Sequence, residues 1–398
     1  MNILDIICTT DAESGGPIEA VQRISEVLMR DGHHVTVVSL ETQEVANRRR
    51  YGGPATAVGV GPGLGGYRYN PALDRWLRQH AHEFDVAIVH GVWNYTSLGT
   101  WRALRNSGTP YFLFTHGMLD PWFRARYPLK HVAKQIYWWL FEGRILRDAR
   151  AVLFTCEEEK LRARHVFRGH GYREQVVLYG TAAPGGDPGA QSEAFLSAFP
   201  ALRGRRYLLF ISRIHAKKGC DLLISAFARS VDQLPPDVDL VMAGPDQDGL
   251  ANGLHAQAQR LGVSHRIHWT GMVSGDVKWG ALRSAEAMIL PSHQENFGFV
   301  VAEAMACSTP VLISDKVNIW REVLASKAGF VEPDTVEGTF NLMLRYFALS
   351  REERAAMASS ALAGFLNHFD IEASARDLAE AVVRRRGSVV DAPQPVAG

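Results

Sequence analysis

Short apolar runs of four to six residues alternate along this chain with longer stretches in which apolar residues recur at three- and four-residue spacing. Runs of the first kind predict strands and those of the second amphipathic helices, and their steady alternation predicts βα units around parallel sheets. A first series of strands is read at 3–8, 35–40, 86–90, 111–115 and 151–155, with helices between, for example over 18–30. A second series is read at 207–212, 240–243, 267–269, 287–290 and 311–314. Between the two, AAPGGDPGAQSEAFLSAFP is rich in Pro, Gly and Ser and reads as a linker, placing a domain boundary within 182–191. A last helical pattern covers 371–385, and the tail GSVVDAPQPVAG reads as disordered.

At 398 residues the chain exceeds one ordinary hydrophobic core, so two similar doubly wound domains are the simplest account. An apolar content of 46%, a charged content of 21% and a net charge of +1 suit a soluble enzyme and give no reason to expect nucleic acid as a partner. Residues 1–185 hold 22 Lys/Arg against 18 Asp/Glu, and 186–398 hold 21 against 24, so the first half is the one expected to meet anions. Cys8, Cys156, Cys220 and Cys307 are dispersed, which indicates buried thiols in a reducing compartment and no structural zinc. The opening MNILDIICTT lacks the pattern of a signal peptide, and no run reaches the roughly 20 apolar residues of a membrane span, so a cytoplasmic location is expected.

Candidate chemistry collects where strands end. After the strand 287–290 comes the polar loop Ser292-His293-Gln294-Glu295, then a helix expected to start within 296–298. Ligands of open α/β sheets bind at such carboxyl edges, and a helix N-terminus there offers free N–H groups to an anion. Glu295 in the loop and Glu303 two turns into the helix are acceptors suited to vicinal hydroxyls, a hexose for Glu295 and a ribose for Glu303, against the plainer reading of a solvated loop carboxylate and a surface ion pair. Arg213 and Lys218, five positions apart beyond the strand 207–212, have the charge to neutralise a diphosphate without a metal, or are simply exposed loop cations; Lys217 is read as facing solvent. In the first half, Gly15 and Gly16 open a helix after a strand and permit close approach of an anion or a sugar hydroxyl, and His116 ends the strand 111–115.

As a set, SGGPIEAVQRISEVLMRDGHHVTVVS, FTHG, FISRIHAKKGCDLLISAF, VMAGP and SHQENFGFVVAEAMACSTPVLIS resemble the retaining GT-B glycosyltransferases of family 4, also called group 1. The resemblance covers nearly the whole chain. It implies an α/β fold of GT-B architecture, with two Rossmann-like domains facing across a cleft: an acceptor-binding domain at 1–185 and a nucleotide-sugar donor-binding domain at 186–370. The helix 371–386 is expected to pack back toward the first domain and 387–398 to form the tail. It further implies that Arg213 and Lys218 bind the donor diphosphate, Glu295 the donor sugar and Glu303 the ribose. Backbone N–H groups of Asn296, Phe297 and Gly298 complete the phosphate cradle, the turn Gly271, Met272, Val273 lies against the base, and His116 sits beside the reacting sugar. Leu178-Tyr179-Gly180 departs from the Asn-Gly pair common in this family.

The activity implied is retaining hexosyl transfer, with no metal or cofactor, from a UDP- or GDP-sugar to a glycan or polyprenyl-diphosphate-linked glycan acceptor in bacterial surface or extracellular polysaccharide biosynthesis, lipopolysaccharide and exopolysaccharide included. A nucleotide-sugar 2-epimerase of similar fold and a non-catalytic nucleotide-sugar-binding subunit are the alternatives, and sugar release or isomerisation without acceptor separates them. The stretch 122–150 holds seven Lys/Arg among Trp122, Phe123, Tyr127, Tyr137, Trp138, Trp139 and Phe141. It suits an anionic membrane surface, hence a peripheral location on the inner face of the plasma membrane, or a lipid-linked diphosphate, against a core-facing helix with a solvated basic face. Two motifs are set aside. Gly61-Pro-Gly-Leu-Gly-Gly66 is not followed directly by a helix, and Asp237-Val-Asp239 is read as a turn.

Overall fold

A computed structural model describes residues 1–10, 16–48 and 55–386. The chain forms two compact units, one of Met1–Gly180 with Ile371–Gly398, the other of Thr181–Asp370. Among the described residues the first unit holds the strands β1 (Asn2–Ile7), β2 (His34–Ser39), β3 (Thr56–Gly59), β4 (Val86–His90), β5 (Tyr111–Phe114), β6 (Val152–Phe154) and β7 (Glu174–Val176). The second holds β8 (Arg206–Ile211), β9 (Val238–Ala243), β10 (Ile267–Gly271), β11 (Ala287–Leu290), β12 (Val311–Ser314) and β13 (Gly329–Glu332).

The first sheet runs β3-β2-β1-β4-β5-β6-β7 and the second β10-β9-β8-β11-β12-β13, with every pairing parallel. Strand order reverses between β1 and β4 in one and between β8 and β11 in the other, and these switch points are where doubly wound sheets open a crevice at the carboxyl ends. The central strands are buried along their whole length, as both-face coverage by helices requires.

Three strands depart from the reading of the sequence. β3, β7 and β13 are short, largely half-exposed edge strands, too weakly apolar to stand out from loop. The expected linker is also corrected, because its second half is the helix Pro188–Ala198. Asp187 caps it, accepting from Ala190 N at 2.7 Å, and Pro188 occupies the first turn, where its missing N–H costs nothing. This helix packs on Gly275–Arg283, where Gly280 admits the Gln191 carbonyl; a Cβ there would lie 1.9 Å from that oxygen.

The helix Ile371–Arg386 belongs to the first unit. It packs against the helix Gly16–Arg30 through buried Ile371, Ala375, Leu378, Ala381 and Val382. Arg30 pairs with Glu372, Arg376 Nε lies 3.1 Å from Asp31 Oδ2, and Leu178 N donates to Asp377 Oδ2 at 2.8 Å. The tail 387–398 lies outside the described residues.

Candidate functional site

In the second unit, β8 and β11 end side by side and their loops are joined. Gly219 takes φ +65, and a Cβ there would meet the Pro291 carbonyl oxygen at 2.2 Å, so only glycine lets the two loops approach. His293 N donates to Lys217 O at 2.7 Å. The one-turn helix Ala216–Lys218 is capped by His215, whose Nδ1 accepts from Lys217 N at 2.9 Å. This turn carries Lys218 inward to a buried position, where its ammonium is ion-paired with Glu295. Lys218 and Glu295 are therefore brought together.

Glu295 is fixed at its backbone. Its N–H donates to Lys316 O and its carbonyl accepts from Asn318 N, both at 3.0 Å. Gly298, at φ +78, starts the helix Phe299–Ala306, and its missing Cβ leaves room for the Glu295 Cγ. Phe297 is buried against Phe299 and Phe369, so what it has to offer a ligand is its backbone. Arg213 leaves the end of β8 exposed, its Nη1 3.4 Å from Gln247 Oε1.

Glu303 is buried and ion-paired with Lys278 at 2.5 Å. Lys278, on the facing helix Gly275–Arg283, gave no signal in the sequence beyond one cation in an amphipathic pattern. Val273 stands half-buried just beyond β10, on the same sheet edge as Arg213 and Glu295. Two sequence readings are corrected. Lys217 does not simply face solvent; it is half-buried and its Nζ donates to Gln294 Oε1 at 3.3 Å. Asp239 is not in a turn but lies within β9, held by Arg205 at 2.5 Å and His268 at 2.9 Å. Among the described residues no group of three or more His, Cys, Asp or Glu is placed to hold a metal ion.

The first unit builds its site around His116. The turn Thr115-His116-Gly117 takes positive φ at His116 (46°) and Gly117 (73°), a costly conformation for histidine unless its surroundings fix it. Buried Glu159 does so. One carboxylate oxygen accepts from Thr115 Oγ1 at 2.7 Å and Gly117 N at 2.6 Å, the other from Thr155 N and Oγ1 at 2.8 and 2.7 Å.

The imidazole is the end of a chain of three groups. His116 Nε2 lies 3.0 Å from His90 Nδ1, and His90 Nε2 lies 3.0 Å from Asp5 Oδ1. A carboxylate only accepts, so His90 donates from Nε2; in that tautomer its Nδ1 accepts from His116 Nε2–H, leaving His116 Nδ1 as a bare acceptor. Burial, and secondarily the neighbouring His90, hold the His116 pKa well below the ordinary imidazole value, so it is neutral at pH 7. Tyr179, at the position that departs from the family's Asn-Gly pair, lays its ring 5.9 Å from that of His116. Asp5, His90 and Glu159 are functional candidates that the sequence reading missed. Gly16 opens the helix Gly16–Arg30, whereas Gly15 lies outside the described residues.

The stretch 122–150 folds as the helices Trp122–Arg126 and Pro128–Tyr137, a π-helical turn Trp138–Glu142 and the helix Gly143–Asp148. Its two halves differ: Trp138, Ile145 and Leu146 face the core and are buried, whereas no side chain of Pro128–Tyr137 is buried; Leu129 is 86% exposed, and Val132, Ile136 and Leu140 are exposed beside it. A cavity of about 260 Å³ adjoins this face, lined by Arg124, Lys130 and Lys134 together with Phe123, Tyr127 and Asp120.

Two family models match the chain, "Glycosyl transferase 4-like domain" over residues 15–180 and "Glycosyl transferases group 1" over residues 193–363. The D-inositol 3-phosphate glycosyltransferase of Streptomyces bingchenggensis is 35% identical over 207 residues, 48% of this chain and 44% of that protein, so this match spans less than half of the relative's length. The phosphatidyl-myo-inositol mannosyltransferase of Mycobacterium tuberculosis is 28% identical over 333 residues, 81% of this chain and 79% of that protein. The crystal structure of Anabaena HepE in complex with UDP and glucose superposes with a TM-score of 0.74 at 20% identity, covering 96% of this chain and 100% of the other. Likeness at that identity is one of fold, the GT-B type.

Proposed function

The chain belongs to the group 1, family 4-like glycosyltransferases, and from that premise we propose that it moves a hexose, with retention at the anomeric carbon and without a metal, from a UDP- or GDP-sugar to a lipid-linked glycan acceptor. The observation that carries the donor reading is the Lys218–Glu295 pair at the β8/β11 switch point, beside the helix that starts at Gly298. A cation for the diphosphate and a carboxylate for sugar hydroxyls stand in contact, as they must if both address one sugar diphosphate. Arg213 and the N–H groups of Asn296, Phe297 and Gly298 add positive potential to the diphosphate, Glu303 holds the ribose, and Val273 lies against the base. The nucleotide sugar joins two groups that otherwise neutralise each other.

In the step proposed, the bond between the anomeric carbon and the diphosphate oxygen breaks while the acceptor oxygen bonds to the same face of that carbon. The acceptor's proton passes to the leaving phosphate oxygen. Lys218 and Arg213 stabilise the charge gathering on the diphosphate, and Glu295 positions the sugar. His116, presenting a bare Nδ1, orients a sugar hydroxyl, with Asp5 and His90 as positioning residues behind it. The exposed apolar face of Pro128–Tyr137, with the cations of the adjoining cavity, supports an acceptor presented at an anionic membrane surface and a polysaccharide-building role.

The test is a donor screen followed by an acceptor assay with EDTA present. Full activity of Glu295→Ala or Lys218→Ala would refute the site, an α-to-β change at the anomeric carbon would refute retention, and loss of activity in EDTA would refute metal independence. Isomerisation of the donor without acceptor would replace transfer by epimerase chemistry. Unchanged sedimentation with anionic vesicles at low salt would remove the membrane proposal.

A further inference from the structure

The first sheet carries a second basic hollow, at the end opposite His116. It opens where the chain enters β5, β6 and β7, has a volume of about 430 Å³, and is lined by Arg105, Arg147, Arg150 and Arg173 with Asp148. Four guanidiniums against one carboxylate give the lining a formal charge of +3. Tyr111, whose carbonyl accepts from Arg150 N at 2.8 Å, is five residues before His116, so the hollow is roughly 16 Å along the strand from the histidine.

The donors are set in place before any ligand arrives. Arg173 gives Nε to the Arg150 carbonyl at 3.1 Å and Nη2 to the Ala149 carbonyl at 3.0 Å. Arg147 lies on Asp148 at 2.9 Å, whose other oxygen accepts from Trp101 Nε1 at 2.8 Å, and Arg105 stacks over the same indole at 4.7 Å. Like charges extend beyond the lining, since Arg385 is held below the ordinary guanidinium value by burial and then by Arg173. Guanidiniums gathered on one concave surface repel, and a multivalent anion relieves that repulsion while accepting several charge-assisted hydrogen bonds.

We infer that this hollow binds a soluble small molecule carrying a diphosphate or two phosphate groups, at a site separate from the residues assigned to the donor sugar. Its volume falls in the range of small-molecule sites. A lipid headgroup is the other source of the same chemistry. A bilayer-docking surface needs an exposed apolar anchor, yet the apolar lining residues Leu104 and Tyr111 are buried.

The experiment is hydrogen–deuterium exchange on the full chain with inorganic pyrophosphate, followed in peptides covering 104–111 and 147–150. Protection of both segments is expected, with at least a tenfold rise in the half-saturating concentration in Arg105→Ser/Arg147→Ser; both side chains are exposed and hold no backbone group in the described structure. Protection confined to 213–219 and 295–299, or protection at 104–111 that survives both substitutions, overturns the inference. Protection at 104–111 by phosphatidylglycerol vesicles and not by pyrophosphate overturns it in favour of a lipid surface. Segments 213–219 and 295–299 report on the donor site in the same measurement, so failure of one site is distinguishable from failure of the other.

Discussion

Lys218 and Glu295 are each other's counter-ion in a setting with little solvent, their side chains 10% and 19% exposed. Removing one strands the other, at a cost below the 3–5 kcal/mol typical of fully buried pairs because some water remains, so about 1–3 kcal/mol is expected. Lys218→Ala should therefore lower the urea midpoint more than Lys218→Ala/Glu295→Gln does, while all such variants lose transfer by at least about a hundredfold. Additive stability losses in that cycle would mean that the two charges are not coupled. Asp5 acts at a distance of two rings: Asp5→Asn permits the reverse polarity through His90 and leaves His116 free to present the wrong tautomer. Transfer should fall roughly 10- to 100-fold with nucleotide affinity unchanged, checked by steady-state kinetics beside titration calorimetry with the nucleoside diphosphate. Arg213, Lys218 and Glu295 were legible because each follows a strand end in a recognisable motif. Asp5 and His90 were not, because both sit inside apolar strand patterns, and only the parallel register that sets Ile7 beside His90 brings the carboxylate and the two imidazoles into line.

Between Trp138 and Glu142 the helical chain widens into a π turn that buries Glu142 completely. Burial pushes the Glu142 carboxyl up to about 8, against weaker opposing pulls from Ser97, the Trp93 backbone and Lys134. A carboxyl whose folded pKa is raised binds its proton more tightly when folded, so its contribution is full below about 4.5 and is lost as pH rises through 8. Across that window stability should decline by up to roughly 1.4 kcal/mol per pH unit from this group alone. Glu142→Gln keeps the shape without the ionisation, so its melting temperature should fall less than the parent's between pH 5 and pH 8.5; parallel slopes would show that Glu142 does not control the trend. Nothing in the sequence marked this turn, since WWLFE reads as continuous helix. The helix Pro188–Ala198 escaped notice for a related reason: Asp187-Pro188 is both a turn signal and a helix start, and composition alone cannot separate the two.

The pattern of alternating elements revealed two doubly wound units, but not the order of their strands, which depends on pairings such as Ile3 with Val86 and Leu208 with Ala287, or the return of the chain's last helix, which depends on contacts such as Arg30 with Glu372. The chain leaves the first unit at Gly180 and rejoins it at Ile371. That return covers one face of the helix Gly16–Arg30. Five buried apolar side chains of the last helix and the pairs Arg30–Glu372 and Arg376–Asp31 hold it there. The apolar part contributes on the order of 5 kcal/mol, and the exposed ion pairs little. A chain ending at Asp370 should therefore lose hydrogen-exchange protection in 16–30, where the buried face of the first helix is opened, and at Leu178, whose N–H loses the Asp377 carboxylate. Strands β8, β9 and β11 should keep theirs, because their sheet and its covering helices all lie within 181–370. A nucleoside diphosphate at a hundred times its Kd should still add about 2.7 kcal/mol to the second unit in the shortened chain. If protection instead fell equally in both units, the last helix would be supporting the whole molecule and not the first unit alone.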